Sequence, residues 1–395
     1  MHLLLTITLG VAAFIWAVQS VRAGIGMRRL PHIENFAPLA KNLSPKVSIV
    51  FAARDEAEKL PGALQTLLAL DYPNYEVIAV DDRSADSTGA ILDDFARRDP
   101  RLRVLHITDL PPGWLGKPHA LNCAFQISTG SWLIFTDADV HFAPDVVSRA
   151  MAVATQQSLD HFTLFAGMTM VGFWERVVLT YFALGFTLGI QAWRVNDPRS
   201  PCYVGIGAFQ LIKREVLEAI GGHRRLAMEV VEDMKLGKLV KLGGFRSQVG
   251  YSERHLSVRW HAGLRNLILG TTKNFFATTG FRVSLAMLQV SGIILMSVVP
   301  WIALLWFALA PFFYFPRTSS LTLAFGIAAV GIALLFHAKI ASGAKSSPLY
   351  GFTHPLGALL FAWMLARSTF VTLWRGGIIW RDTFYPLADL RRGSV

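Results

Sequence analysis

The stretch Trp132-Leu133-Ile134-Phe135-Thr136-Asp137-Ala138-Asp139 decides how the middle of the chain is read. Its first five residues are apolar or β-branched, as a strand buried on both faces requires. It then breaks into two carboxylates two positions apart. The same shape recurs upstream. Val47-Ser48-Ile49-Val50-Phe51-Ala52-Ala53 is one such run, Tyr75 to Val80 is a second that ends at Asp81-Asp82, and Leu102 to Ile107 is a third. Helical periodicity fills the gaps: Glu56 to Leu70, a segment from the capping candidates Ser84, Asp86 and Ser87 to about Arg98, and Pro118 to Ile127. This βαβαβαβ order predicts an α/β fold, Rossmann-like, with a mostly parallel sheet and helices on both faces. Ligands of such sheets bind beyond the carboxyl ends of the strands, where both acidic pairs fall.

Two carboxylates at a strand end suit a hard cation such as Mg²⁺ or Mn²⁺, shared with substrate phosphates. Taken alone, Asp137-Ala138-Asp139 also describes a solvated turn, and Asp81-Asp82 also describes a helix cap. Together with two further elements they carry a resemblance. Val80-Asp81-Asp82-Arg83-Ser84-Ala85-Asp86-Ser87-Thr88, Gly116-Lys117-Pro118-His119-Ala120-Leu121-Asn122, Asp137-Ala138-Asp139 and Glu232-Asp233 follow one another in the order and spacing of the membrane-bound family 2 glycosyltransferases. The likeness covers roughly residues 46 to 274. By texture it is nearest to ceramide glucosyltransferases and to bacterial carotenoid- or hopanoid-associated glycosyltransferases.

The resemblance implies a GT-A fold and a role for each matched residue. Asp81 or Asp82 would contact the nucleotide, Lys117 the diphosphate or ribose, Asp137 the ribose and metal shell, and Asp139 the metal. Asp233 would be the general base, with Glu232 orienting the loop on the acceptor side. Gly205 and Gly207, in Val204-Gly205-Ile206-Gly207-Ala208-Phe209, resemble the segment lining the acceptor cleft. His223, after Gly221-Gly222, is read as structural. One element departs from the pattern. Many membrane members carry Q-x-x-R-W, whereas this chain has Leu256-Ser257-Val258-Arg259-Trp260. Arg259 would still pair with the diphosphate and Trp260 pack on the acceptor, or both would anchor at the membrane interface. The missing Gln weakens a processive reading.

The implied activity is inverting transfer of a sugar from a nucleotide sugar, a UDP-sugar by expectation, to a lipid or polyprenyl-type acceptor. The chemistry agrees with the residues. The sugar leaves through an oxocarbenium-like state, a divalent metal stabilises the departing diphosphate, and a carboxylate takes the acceptor's proton. Two other readings stay open: a processive polysaccharide synthase, and an inactive membrane scaffold or lipid-binding protein of the same fold.

Outward from this region the chain turns apolar. Across 395 residues, 53% are hydrophobic and only 16% charged, against about 25% charged in soluble domains. Leu3 to Val21 lacks charge and is followed by Arg22, Arg28 and Arg29, which predicts an anchor over residues 1–22 with the following chain cytoplasmic. Residues 45–280 then form the enzymatic domain, 281–375 about three membrane segments, and 376–395 a basic tail. A bacterial inner membrane is the expected location. Phe315-Pro316-Arg317-Thr318 reads as a short connection. One anchor and three later spans would put the basic tail outside, against the positive-inside rule, unless the Pro300 segment is re-entrant. Val177 to Trp193 is uncharged within the enzymatic domain; crossing there would strand its two halves, so it is read as a core or interfacial helix. The net charge of +11 is assigned to membrane flanks and a diphosphate, and a nucleic-acid partner is not expected. Cys123 and Cys202 are the only cysteines, which excludes a Cys-rich zinc site, and both are expected as free thiols.

Overall fold

A computed structural model describes residues 2–313 and 319–395, so the expected connection Phe315–Thr318 lies outside the described residues. Helix α1 (His2–Met27) comes first. Then follow β1 (Val47–Ala53), α2 (Leu60–Leu68), β2 (Tyr75–Asp82), α3 (Thr88–Arg98), β3 (Leu102–Ile107), α4 (Gly116–Ile127) and β4 (Trp132–Asp137). Next are β5 (His141–Phe142), α5 (Val146–Gln156), β6 (His161–Met168), α6 (Phe173–Ile190), β7 (Gln210–Lys213), α7 (Arg214–Ala219), α8 (Glu232–Leu242) and β8 (Ser247–Val258). The chain closes with α9 (Gly263–Thr278), α10 (Val283–Ser297), α11 (Val299–Phe313), α12 (Ser320–Gly343), α13 (His354–Arg375), β9 (Gly377–Trp380), β10 (Thr383–Pro386) and α14 (Leu387–Arg392). It divides into two units. One joins residues 29–169, 192–260 and 388–395; the other joins 1–28, 170–191 and 261–387.

The first unit holds an eight-stranded sheet in the order β3-β2-β1-β4-β7-β6-β8-β5. Its β3-β2-β1-β4 half is parallel, as the alternating pattern requires. Strand β7 enters antiparallel beside β4 and β6, and β8 returns parallel to β6. The strands are apolar at successive positions because helices cover both faces. Ile49, Phe51, Val77 and Ile134 pack into one core with residues of α2 and α5. Their neighbours Val50, Ile78, Leu133 and Phe135 pack into the other with residues of α4, α7 and α8. Of the three capping candidates before α3, Asp86 makes the bond: its Oδ1 accepts from Thr88 N at 2.9 Å. Helix α2 starts at Leu60, later than the periodicity suggests, with Pro61 in its first turn where no N–H is needed. Both cysteines are free.

The second unit is helical, apart from the β9–β10 hairpin. Among the described residues, five segments are long and apolar enough to cross a membrane: His2–Met27, Phe173–Arg194, Val283–Phe312, Ser320–Gly343 and Pro348–Arg375. The uncharged run 177–193 is therefore mostly α6, and α6 groups with the apolar helices. Strands β1 to β6 precede it and β7 and β8 follow it in one sheet, which a single crossing by α6 would split. Helices α1 and α12 run parallel. Thr6 and Thr322 share a hydroxyl hydrogen bond at 2.6 Å, Ala12 and Ala13 pack on Ala329, and Gly24 faces Lys339. The small residues along this seam let the backbones approach. Helix α11 runs the opposite way: Trp16 Nε1 donates to Met296 O just before it begins, and Leu304 within it meets Gly326 beside Leu9. The break between α10 and α11 falls at Val298, two residues before Pro300, which has no N–H to continue the ladder. Pro311 does not end α11. Glu175 is buried, and its two oxygens accept from Val171 N at 2.9 Å and Gly263 N at 2.7 Å, tying the starts of α6 and α9 together.

Candidate active site

The parallel register brings the acidic strand ends together. Ala53 of β1 pairs with Asp81 of β2, and Ala52 pairs with Asp137 of β4, so the two acids flank the carboxyl end of β1. Strand β7 pairs antiparallel with β4, which carries the loop 204–209 back to the same end; Thr136 Oγ1 donates to Ala208 O at 2.8 Å there.

Lys117, in the first turn of α4, is the hub. Its Nζ donates to Asp137 Oδ1 at 2.6 Å and lies 2.7 Å from Glu232 Oε1. Burial works against the lysine's charge, but Asp137 and Glu232 outweigh it and hold its pKa well above the ordinary value. Asp233 follows Glu232 in the first turn of α8. Its Oδ2 accepts from Gly207 N at 2.9 Å and its Oδ1 from Met234 N at 2.7 Å. Burial, and then the neighbouring Glu232 carboxylate, push the Asp233 carboxyl well above the usual carboxylate range.

Close packing explains the glycines. A Cβ on Gly205 would lie 1.8 Å from Asp233 O, and one on Gly207 would lie 2.8 Å from Asp137 Oδ2 and 3.2 Å from Asp233 Oδ2. Only a residue without a side chain lets this loop sit between the two acids. A small cavity of about 10 Å³ opens here, lined by Lys117, Gly207, His223, Glu232 and Asp233 among others. His223 packs its ring on Phe135 at 4.5 Å, and burial followed by the Lys117 charge pushes its pKa down to about 3. It is therefore a neutral packing residue.

The other expected residues are held differently. Asp81 Oδ1 accepts from Ser84 N at 3.3 Å, and its Oδ2 lies 3.0 Å from His106 Nδ1. The other ring nitrogen of His106 meets Asp93 at 3.0 Å. Hydrogen bonds to Asp81 and then Asp93 raise the His106 pKa. Asp82 binds Arg83 through both oxygens, at 2.8 and 3.1 Å. Asp137 and Asp139 part company. Asp139 Oδ2 accepts from Lys59 Nζ at 2.9 Å, away from the Lys117 hub. Arg259 and Trp260 follow the end of β8 and are not among the residues lining the cavity. Leu256, where the resemblance expects Gln, is buried in the sheet core. Lys59 and His106 escaped the sequence reading. His106 pairs in register with Asp81, but only a strand alignment shows that. Lys59 sits in what the sequence offers as an ordinary charged helix start.

Among the described residues no group of three or more His, Cys, Asp and Glu side chains forms a metal site. The donor set still fits a cation shared with a diphosphate. Asp137 Oδ2 and Asp139 Oδ1 take no hydrogen bond from the described residues, while the other oxygen of each is held by a lysine. Mg²⁺ commonly takes one or two carboxylates and completes its shell with water and phosphate oxygens.

Residues 48–221 match the family model described as "Glycosyl transferase family 2". A beta-monoglucosyldiacylglycerol synthase of Trichormus variabilis is 27% identical over 186 residues, covering 45% of this chain and 38% of the relative. The Synechocystis protein of the same name is 28% identical over 184 residues, covering 45% of this chain and 37% of the relative. The match thus spans well under half the length of these curated relatives. Among solved structures, a mannosyltransferase from Pyrobaculum calidifontis, in complex with GDP-Man and Mn²⁺, shares the fold. It has a TM-score of 0.55 and 19% identity, covering 95% of this chain and 99% of that one.

Proposed function

We propose, from the premise that residues 48–221 are a family 2 glycosyltransferase domain of GT-A fold, that the chain moves a sugar from a nucleotide sugar to a hydroxyl of a membrane lipid. A diacylglycerol-type acceptor is favoured by the names of the relatives. A nucleotide-sugar donor is favoured by GDP-Man in the fold neighbour. The observation that carries the reading is the Asp233 carboxyl. It is fixed by two backbone N–H groups, shares a cavity with Lys117 and Glu232, and has a raised pKa. A carboxylate of raised pKa is a stronger base, and a general base is what a lipid hydroxyl lacks in water-poor surroundings.

In this reading Asp233 accepts the hydroxyl proton as the new glycosidic bond forms. Attack opposite the leaving diphosphate inverts the anomeric centre. Lys117 holds Asp137 and Glu232 in place and offers positive charge toward the diphosphate. Asp81, backed by His106, binds the nucleoside. Asp137 and Asp139 would hold Mg²⁺ or Mn²⁺, which supplies charge stabilisation for the departing diphosphate. The buried Leu256 argues against the gating role that Gln has in processive synthases.

Membrane insertion is part of the proposal. Helix α12 runs parallel to α1, which brings Lys339 and Lys345 to the same side as Arg22 and Arg28. Helix α13 starts alongside α6, with the Phe173 and Tyr350 rings 5.9 Å apart and Gly357 against Tyr181. Reading α1, the α10–α11 segment Val283–Phe312 and α12 as the crossing elements, and α6 and α13 as lying at the surface, puts the basic tail on the cytoplasmic side. That removes the conflict with the positive-inside rule without a re-entrant segment.

The test of the base is Asp233→Asn in membranes supplied with donor and lipid. Turnover is expected to fall about 10³-fold while donor binding persists. Unchanged turnover would overturn the assignment.

A further inference from the structure

A second cavity of the sheet unit shares no lining residue with the cavity at Lys117 and Asp233. It has a volume of about 140 Å³ and is lined by Arg29, Leu30, Ala192, Trp193, Asn196, Gln248 and Val249. Several waters or one small polar group would fill that space.

Its walls are fixed before any ligand arrives. Tyr251 N donates to Pro31 O at 2.8 Å and the His32 and Tyr251 rings stack at 4.7 Å, which pins the Arg29–Leu30 wall along β8. Lys241 Nζ donates to Val195 O at 2.7 Å and to Asp197 O at 2.5 Å, which pins the wall of residues 192–196.

Two polar groups at the cavity are incomplete. Gln248 Oε1 is buried and has no hydrogen-bond partner among the described residues, a condition that is destabilising if left unmet. The Arg29 guanidinium makes no ion pair or hydrogen bond to the described residues. Trp193, Leu30 and Val249 supply apolar surface between them. A ligand that satisfies all three needs an anionic group, a hydroxyl donor and an apolar edge. Chain continuity says where such a ligand would come from. Arg29 is two residues beyond the last residue of α1, and Ala192 is two beyond the last of α6, both segments long and apolar enough to cross a membrane.

We propose that this cavity binds a phosphate ester of a small polyol, the chemistry of a phosphatidylglycerol-type headgroup, with the phosphate on Arg29 and a polyol hydroxyl donating to Gln248 Oε1. The site is separate from the transfer reaction and would hold its ligand whether or not a donor is present.

The experiment uses the full-length chain, detergent-purified and reconstituted in phosphatidylcholine discs. One arm adds phosphatidylglycerol and measures the lipid retained after washing, by native mass spectrometry. The other adds sn-glycerol 3-phosphate and measures binding by calorimetry. Losing a charge-assisted phosphate contact should weaken binding about tenfold in Arg29→Gln. Gln248→Glu, which sets a carboxylate against the phosphate, should weaken it at least as much, with thermal melting unchanged in the exposed Arg29→Gln. Retained phosphatidylglycerol that both variants lose assigns a lipid headgroup. Saturable glycerol 3-phosphate binding that both variants lose, without lipid retention, assigns a soluble phosphate ester. Binding in neither arm, or binding equal in wild type and variants, overturns the proposal.

Discussion

The two units carry their charge in opposite ways. The helical unit has twelve basic residues and two acidic ones, leaving 26 basic and 25 acidic residues to the sheet unit. Nearly all of the chain's +11 therefore belongs to the apolar helices. In the sheet unit cations and anions meet: Lys117 with Asp137 and Glu232, Lys59 with Asp139, Arg83 with Asp82, Lys213 with Asp160. In the helical unit twelve cations stand against two carboxylates of the same unit, an excess that suits the anionic surface proposed for it. Charge in one unit is matched internally to shape a site. Charge in the other is left in excess, which fits the membrane insertion proposed for it.

The matched charges depend on backbone that leaves no room for change, and the largest effect should come from disturbing it. Gly205→Ala would drive a Cβ into Asp233 O at 1.8 Å. The loop 204–209 and the start of α8 must separate, which moves Asp233 off Gly207 N. Displacing a reacting group by about 1 Å can cost about 10²-fold in rate. Turnover in Gly205→Ala should fall at least that far, measured as nucleoside diphosphate released per enzyme. Gly113→Ala is the control, since a Cβ there meets nothing within 4 Å. It stays active but less stable because its φ is +81°. Equal turnover in the two variants would show that the close loop is not what positions Asp233.

A smaller effect should follow from the Asp139 side of the split pair. If Asp137 and Asp139 share a cation with the diphosphate, EDTA should lower turnover and added Mn²⁺ or Mg²⁺ restore it. Asp139→Ala should lose about 10-fold or more and respond poorly to metal, because one of the two carboxylate ligands is gone. Full activity of the wild type in EDTA would remove the metal from the mechanism.

Next in size is the response to pH. Asp233 has its pKa raised, so its basic, deprotonated form is lost as pH falls while ordinary carboxylates are still ionised. The rate should therefore climb with pH across a range above that of an ordinary aspartate, by about tenfold per unit on the acid limb. Glu232→Gln removes the neighbouring negative charge that helps raise the pKa, and should move this limb to lower pH. A limb that stays where it was would mean that burial alone sets the shift.

The sheet was legible because its strands are apolar on both faces and end in acids or turns. The expected runs at 47–53, 102–107 and 132–136 are strands β1, β3 and the body of β4. The acid pairs were legible for the same reason, since strand ends are where such sheets bind ligands. What stayed hidden depends on which residue faces which. Asp137 and Asp139 look alike in sequence, yet one turns to Lys117 and the other to Lys59. Gly205 and Gly207 read as a turn, and only their distances to Asp233 and Asp137 say why no side chain fits. The direction of the apolar helices was hidden too. Hydropathy gives length and position, while orientation rests on pairs such as Thr6 with Thr322.

The orientation of the helices should have no effect on catalysis at all, yet it decides where the excess charge lies. In a background with Cys123 and Cys202 replaced by Ser, single cysteines at Leu3, Ser342 and Ser394 can be probed with an impermeant maleimide from either side of sealed vesicles. Parallel α1 and α12 require Ser342→Cys to react from the side opposite Leu3→Cys. Ser394 lies in the sheet unit, where Lys235 and Lys238 donate to Val395 O at 2.5 and 2.8 Å, so Ser394→Cys should react from the same side as Ser342→Cys. All three variants should keep wild-type turnover. If Ser394→Cys instead shares the side of Leu3→Cys, α13 crosses the membrane. Arg375 and Arg381 would then face outward, away from the side proposed for Arg22, Arg28, Lys339 and Lys345.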